Sequence, residues 1–178
     1  MTFIARAAVV AMVLQSGAAA ALPKIGAAAP AYAFAEVLNR SESSAKALTP
    51  ESLRGKVVVL DFFATWCAPC VASVPQTNAL ADELSDQPIV FLAVANEDRP
   101  TLEAFLKKTP MRAWLVLDAE GQTYRNYMIS GLPFVVVIGK DGRVAEFTHP
   151  SRLNRASLEK LAKAPSLSGT RTILSAIE

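Results

Sequence analysis

The chain has 178 residues, a length that predicts one domain with short appendages. Hydrophobic residues make up 52% of it, which excludes a chain that is disordered throughout. Its 18 Lys and Arg residues against 16 Asp and Glu leave a net charge of +2 with no basic run, so we expect no nucleic-acid partner. The single histidine, His149, excludes a His-rich metal site.

The first 21 residues have the pattern of a secretory signal peptide. Residues 1–6 carry one positive charge, residues 7–14 are an unbroken apolar run, and residues 18–21 are small enough for cleavage. We therefore predict an exported, periplasmic protein of a bacterium; the alternative is an uncleaved anchor that tethers the protein to the membrane. Residues 22–164 should form a soluble domain, because no later stretch approaches 18 apolar residues. Residues 165–178 are a tail without an assigned structure.

The predicted elements alternate between helices and strands along the chain. Residues 49–53 should form a short helical turn with a Thr cap and Pro just inside it. Residues 57–63 are β-branched and aromatic without alternation, which favours a central strand buried on both faces. In chain order there follow a helix over 67–84 that Pro75 should kink, a strand over 89–95, a helix over 100–108, a strand over 113–117, a helix over 123–128, a strand over 134–138, a turn at Lys140-Asp141-Gly142, a strand over 143–148 and a helix over 153–164.

This order predicts an α/β fold with a mixed central β-sheet and helices on both of its faces. Strand–helix–strand units place parallel strands side by side, and the final hairpin adds an antiparallel pair.

The only two cysteines, Cys67 and Cys70, lie where a buried strand gives way to a helix. A purely stabilising disulfide would gain little here, because closing so short a loop is worth roughly 2 kcal/mol, against about 4 to 5 kcal/mol for a loop of a hundred residues. Zinc would need more ligands than this pair and His149 supply. We therefore expect no metal and no cofactor.

A redox function fits the position of the pair best. A cysteine at a helix N-terminus meets the positive end of the helix dipole and unpaired backbone N–H groups, which raise its thiolate fraction. Cys67 should be the accessible nucleophile, and Cys70, one turn further into the helix, the more buried resolving thiol.

The motif Trp66-Cys67-Ala68-Pro69-Cys70, together with Pro75 in the following helix, resembles thioredoxin. The resemblance implies a thioredoxin-like fold. It also implies that Asp61, six residues before Cys67, is the buried aspartate of that family. Leu132-Pro133, just before a strand, resembles the family's cis-proline loop, in which the proline faces the cysteines and exposes backbone to substrate.

A fuller pattern over residues 25–164 resembles the exported TlpA/ResA branch of thiol–disulfide reductases. The matching segments are residues 25–30, 53–58, 64–67 and 139–144. Three positions depart from that branch: Ser73 replaces a common glutamate, Asp61 a frequent asparagine, and Phe134 a common threonine. The acid that acts on the thiols should therefore come from the strand, and Phe134 should shape a different substrate groove.

The resemblance also implies the remaining roles and partners. Trp66 should cover the disulfide, with ordinary packing as its alternative, and Pro69 should hold the start of the helix. Leu132 and Phe134 should line the substrate groove. The implied partners are proteins that contain disulfides and a membrane thiol donor that supplies electrons.

Two other functions stay open at this stage. One is an oxidase that donates its disulfide to folding proteins, which Ala68-Pro69 disfavours because the histidine of the strong-oxidant motif is absent. The other is a copper metallochaperone with a thioredoxin-like fold, whose known relatives have three residues between their cysteines.

Overall fold

The computed structural model describes residues 23–40 and 47–165. The predicted signal peptide, the start of the predicted domain at residue 22 and nearly all of the predicted tail lie outside these residues, and they stay predictions. Within the described residues, no helix is long and apolar enough to cross a membrane.

The described residues contain one five-stranded mixed sheet. Its strands are β1 (Val57–Phe62), β2 (Ile89–Ala95), β3 (Trp114–Leu117), β4 (Phe134–Ile138) and β5 (Val144–Thr148). They lie in the order β3-β2-β1-β4-β5. β1 runs parallel to β2 and antiparallel to β4, and β5 closes an antiparallel hairpin with β4. The structure thus confirms the predicted mixed sheet, and it places β1 at the centre with every residue buried.

The helices cover both faces of this sheet, as predicted. They are α1 (Ala68–Glu83), α2 (Arg99–Lys108), α3 (Gln122–Asn126) and α4 (Arg155–Lys163), with a 3₁₀ turn at Pro150–Arg152. Side chains of α1, α2 and α4 share one hydrophobic cluster with one face of β1. Tyr124 of α3 and Tyr127, which directly follows that helix, share the opposite cluster with the segment before β1.

The segment before β1 contributes more than the sequence indicates. Tyr32 and Phe34 are buried with stacked rings whose centroids lie 5.7 Å apart. The backbone N–H of Phe34 donates to Leu48 O over 3.1 Å, and that of Leu48 donates back to Phe34 O over 2.9 Å. Val37 forms a bridge to Val116 at the β3 edge of the sheet. This Ala-rich lead-in therefore covers one face and one edge of the sheet.

The last helix begins two residues later than predicted. Residues 150–152 form a 3₁₀ turn, in which Arg152 N donates to His149 O over 2.8 Å. Asn154 then caps α4 by accepting from Ser157 N over 2.9 Å. An asparagine cap satisfies one of the N–H groups that a helix leaves unpaired at its start, which fixes where α4 begins.

Candidate active site

Cys67 and Cys70 form a disulfide at the N-terminus of α1, with their Cα atoms 5.2 Å apart. Cys67 is the N-cap residue, and its Sγ accepts a hydrogen bond from the backbone N–H of Cys70 over 3.3 Å. The same N–H would donate to a Cys67 thiolate after reduction, and the helix dipole would add to that stabilisation. Both residues are buried, with 5% of Cys67 and 2% of Cys70 exposed. Cys70 is the more buried of the two, as predicted, but in the disulfide form Cys67 is not the accessible cysteine that the sequence predicts, because it packs in the same hydrophobic cluster.

Asp61 lies within β1, six residues before Cys67, and only 8% of it is exposed. Its neighbours at two-residue spacing, Val59 and Phe63, belong to the same hydrophobic cluster as both cysteines. Because side chains alternate along a strand, Asp61 faces the side of the sheet that α1 covers. Among the described residues, its Oδ1 atom has no hydrogen-bond partner. Burial raises the pKa of Asp61 to about 7.

The loop before β4 and the cysteines lie at the same end of the central strands. The Leu132–Pro133 peptide bond is cis, as the resemblance implies. Phe134 pairs with Phe62 at the last position of β1, so Pro133 lies just beyond the strand end that leads to Cys67. Leu132 is half-buried against both hydrophobic clusters. No contact tests the predicted roles of Leu132, Pro133 and Phe134 towards a substrate, so these roles stay predictions.

Trp66 and Pro69 flank the cysteines on the surface. The side chain of Trp66 is 73% exposed, which argues against the alternative that it is an ordinary packing residue. Pro69 lies in the first turn of α1, where its missing N–H has no intrahelical acceptor to lose.

Ser73 stands where the TlpA/ResA branch commonly has a glutamate, and it provides no acid. Its hydroxyl donates to Cys70 O within α1 over 2.7 Å. Asp61 is thus the buried carboxyl group on this side of the sheet.

Glu97 is a residue of the site whose contact the sequence did not reveal. Its Oε2 accepts from the backbone N–H of Thr65, and its Oε1 accepts from the Thr65 hydroxyl, each over 2.6 Å. Thr65 lies two residues before Cys67, so these hydrogen bonds connect the segment after β2 to the segment that carries Cys67. In the sequence, Glu97 and Asp98 follow a buried strand on the side expected to hold the active site, but this pattern favours a solvated loop over a role near Cys67.

Tyr124 joins β1 and β2 at the same edge. Its hydroxyl lies 2.9 Å from Phe63 O and 3.0 Å from Val94 O and donates to these carbonyls. Burial raises the pKa of Tyr124, so the phenol keeps the proton that it donates. Among residues 23–40 and 47–165, no three His, Cys, Asp or Glu side chains lie close enough together to hold a metal ion.

Comparison with known proteins agrees with this geometry. The Redoxin family profile matches residues 24–161. The chain belongs to the Redoxin family. Among similar proteins, the thiol-disulfide oxidoreductase ResA of Geobacillus thermodenitrificans is 32% identical over 121 residues, 67% of this chain and 66% of the relative. The ResA of Bacillus cereus is 29% identical over 102 residues, 57% of this chain and 59% of that protein.

Solved structures confirm the thioredoxin-like fold of this Redoxin chain. A Chlorobium tepidum protein provisionally named thiol:disulfide interchange protein DsbE is 26% identical with a TM-score of 0.63, and the match covers 78% of this chain and 93% of that one. The thioredoxin domain of a Bacteroides vulgatus thiol-disulfide oxidoreductase is 17% identical with a TM-score of 0.64, covering 78% and 98%. The chain spans about three-fifths of the length of the first curated relatives it matches.

Proposed function

We propose that this Redoxin-family protein is a thiol–disulfide oxidoreductase that reduces the disulfides of exported proteins through Cys67 and Cys70. The observation that carries the proposal is the cysteine pair at the N-terminus of α1, where Cys70 N–H donates to the sulfur of Cys67. The ResA relatives are named thiol-disulfide oxidoreductases, which is the same chemistry. The signal-like pattern of residues 1–21 supports export.

The reaction begins with the reduced protein. The Cys67 thiolate attacks one sulfur of a target disulfide; the target S–S bond breaks, and its other sulfur leaves as a thiolate that takes a proton from water. The product of this step is a mixed disulfide between Cys67 and the target. Stabilisation of the thiolate by the Cys70 N–H and the helix dipole makes Cys67 the attacking residue.

The second step releases the target. Cys70 loses its thiol proton and attacks Cys67 Sγ, so that the mixed disulfide breaks and the target leaves with both sulfurs reduced. Asp61 faces this side of the sheet, and burial raises its pKa to about 7, a value that suits a base near neutral pH. We assign Asp61 the role of accepting the Cys70 proton, directly or through a water molecule.

The remaining roles follow from position. Pro133 and its neighbours Leu132 and Phe134 would hold an extended target segment beside the disulfide, and the exposed Trp66 would contact the target. Each cycle leaves the Cys67–Cys70 disulfide, so two electrons must be returned. For an exported protein we propose a membrane thiol donor as their source.

Trapping the intermediate tests the proposal. The Cys70→Ser variant should accumulate a covalent complex with a disulfide-containing protein, visible by mass spectrometry and lost on treatment with dithiothreitol. The Cys67→Ser variant is the matched control and should trap far less. Equal trapping by both variants, or by neither, would contradict the assignment of Cys67 as nucleophile.

A further inference from the structure

A groove of about 520 Å³ opens beside the cis-proline loop. It lies between the start of β4, the end of β5 and the 3₁₀ turn, and its lining includes Pro133, Phe134, Phe147, His149 and Arg152. Pro133, at one end of the groove, lies just beyond the end of β1, the strand that leads to Cys67. At the other, the 3₁₀ turn contacts α1, since Gln76 Nε2 lies 3.5 Å from Ser151 O.

An aromatic pair gives the groove an apolar surface. The rings of Phe134 and Phe147 face each other across β4 and β5 with their centroids 6.1 Å apart. Both side chains are only half-buried, so part of each ring is open to a partner. The rings lie beside Pro133, on the sheet face opposite the cysteines, and their open parts favour contact with apolar side chains of a segment bound along the cis-proline loop.

The polar lining of the groove presents hydrogen-bond donors. His149 Nδ1 accepts from the backbone N–H of Ser151 over 3.2 Å, so the neutral ring carries its proton on Nε2 and can donate from there. Arg152 is exposed, and within the described residues its guanidinium forms no ion pair and no side-chain hydrogen bond. In contrast, Arg99, Arg112 and Arg155 each pair with a carboxylate.

Among the residues that the structure describes, no acidic side chain lines the groove to balance these donors. A guanidinium with a free fork binds a carboxylate through two parallel hydrogen bonds, and an imidazole N–H can donate to the same kind of group. Charge complementarity therefore identifies the occupant as an acidic segment, and the aromatic pair requires an apolar residue beside the acid.

We propose that this groove selects the substrate: a protein segment that carries an apolar side chain and an Asp or Glu next to its disulfide. The apolar side chain packs on Phe134 and Phe147, and the carboxylate pairs with Arg152 and His149. This inference rests on the proposed function, because the selected segment is the one whose disulfide Cys67 attacks.

Three peptides test the proposal. They share one intramolecular disulfide flanked by Phe and differ at a single neighbouring position, which is Asp, Asn or Lys. Each is mixed with the pre-reduced protein, and the second-order rate of Cys67–Cys70 oxidation is followed by tryptophan fluorescence. We expect the Asp peptide to react about three- to fivefold faster than the Asn peptide, the upper part of the range for a solvent-exposed ion pair, and the Lys peptide to react slowest.

The Arg152→Gln variant should bring the Asp-to-Asn rate ratio close to one. Lys107→Gln is the matched control: it removes an exposed charge from α2, outside the groove, and should leave the ratio unchanged. This control separates recognition in the groove from attraction of anions by the net charge. A wild-type ratio near one, or a ratio that Arg152→Gln does not alter, would overturn the proposal.

Hydroxyethyl disulfide separates failure of the groove from failure of the proposed function. This neutral molecule is too small to reach from the disulfide along the groove, so it should oxidise the wild type and both variants at the same rate. If the protein reacts with hydroxyethyl disulfide but oxidises at equal rates with the Asp and Asn peptides, only the groove proposal is overturned. No reaction with it would remove thiol–disulfide exchange itself, and the groove proposal with it.

Discussion

Two buried aspartates, Asp61 in β1 and Asp118 after β3, show how the same side chain serves different purposes in two regions of the protein. They are 8% and 6% exposed. Asp118 accepts from the backbone N–H groups of Thr123 and Tyr124, over 3.2 and 3.0 Å, at the start of α3. Asp61 Oδ1 has no partner among the described residues, and burial raises the pKa of that carboxyl group to about 7.

The difference separates a carboxyl group whose oxygens are hydrogen-bonded from one that is buried with an unpartnered oxygen. Both oxygens of Asp118 accept backbone N–H groups and so hold a short helix in place. A carboxyl group that lacks such donors changes its protonation near neutral pH, and it can therefore exchange a proton with a neighbouring thiol. The comparison suggests looking for catalytic acids among buried groups with too few hydrogen bonds.

The largest expected effect is a pH-dependent loss of stability caused by Asp61. The folded protein keeps the Asp61 proton up to about pH 7, whereas the unfolded chain releases it near pH 4. This contribution to stability is therefore full below pH 4 and is lost as the pH rises to 7, by about 4 kcal/mol. Urea unfolding of the oxidised protein at several pH values measures it, and Asp61→Asn should remove this slope. A variant with the slope of the wild type would refute the raised pKa.

Asp118 should contribute to stability through its two hydrogen bonds. Asp118→Ala leaves two backbone N–H groups without their acceptor and should lower the free energy of unfolding by about 2 to 3 kcal/mol. Asp86→Ala, at an exposed position, is the matched control and should change it by less than about 0.5 kcal/mol. Equal urea midpoints for the two variants would contradict the structural role of Asp118.

The same pair of aspartates should separate in the kinetics of target release. Asp61→Asn should slow the attack of Cys70 on the mixed disulfide about 10- to 100-fold at pH 7, because the thiol loses its base. In the wild type this rate should rise with pH through about 7, as the Asp61 carboxyl group ionises. Rapid-quench measurement of released thiol follows the step. Asp118→Asn should keep the wild-type profile; loss of the profile in both variants would point to altered folding instead.

Glu97 should have the smallest effect of the three acids on the free energy of unfolding. It is half-buried and accepts twice from Thr65, so Glu97→Ala should lower the free energy of unfolding by about 1 to 2 kcal/mol. Thr65→Val removes only the hydroxyl bond and should cost about half as much. Thermal unfolding of the two variants and of the double variant would show whether the losses overlap; fully additive losses would mean that the two side chains do not act as a pair.

Sequence patterns predicted the sheet better than its surroundings. β2 and β4 have the predicted bounds because each is a continuous apolar run flanked by polar residues or turns. The sequence does not predict the burial of Tyr32 and Phe34, because the partners of this segment are distant: Phe34 pairs with Leu48 and Val37 with Val116, and nothing local marks these pairs. The start of α4 was misplaced because Leu153 fits a helix pattern, although Asn154 carries the cap.

The candidate site also contains some residues that local sequence patterns predict and some contacts that they do not. Cys67, Cys70 and Asp61 are recognisable from a local motif and from a polar residue within an apolar strand. The contact between Thr65 and Glu97 joins residues 32 positions apart, and the groove forms where β4, β5 and the 3₁₀ turn meet. Features of this kind depend on tertiary packing, so no short sequence pattern contains them.

The equilibrium reduction potential of the Cys67–Cys70 pair tests the central claim most directly. It can be measured by tryptophan fluorescence in graded thiol buffers, with Cys70→Ser as a control that cannot form the disulfide. A protein that reduces its targets should have a potential near that of thioredoxin, about −270 mV, or lower. A value near that of the strong oxidant DsbA, about −120 mV, would contradict the account and identify the protein as a disulfide donor.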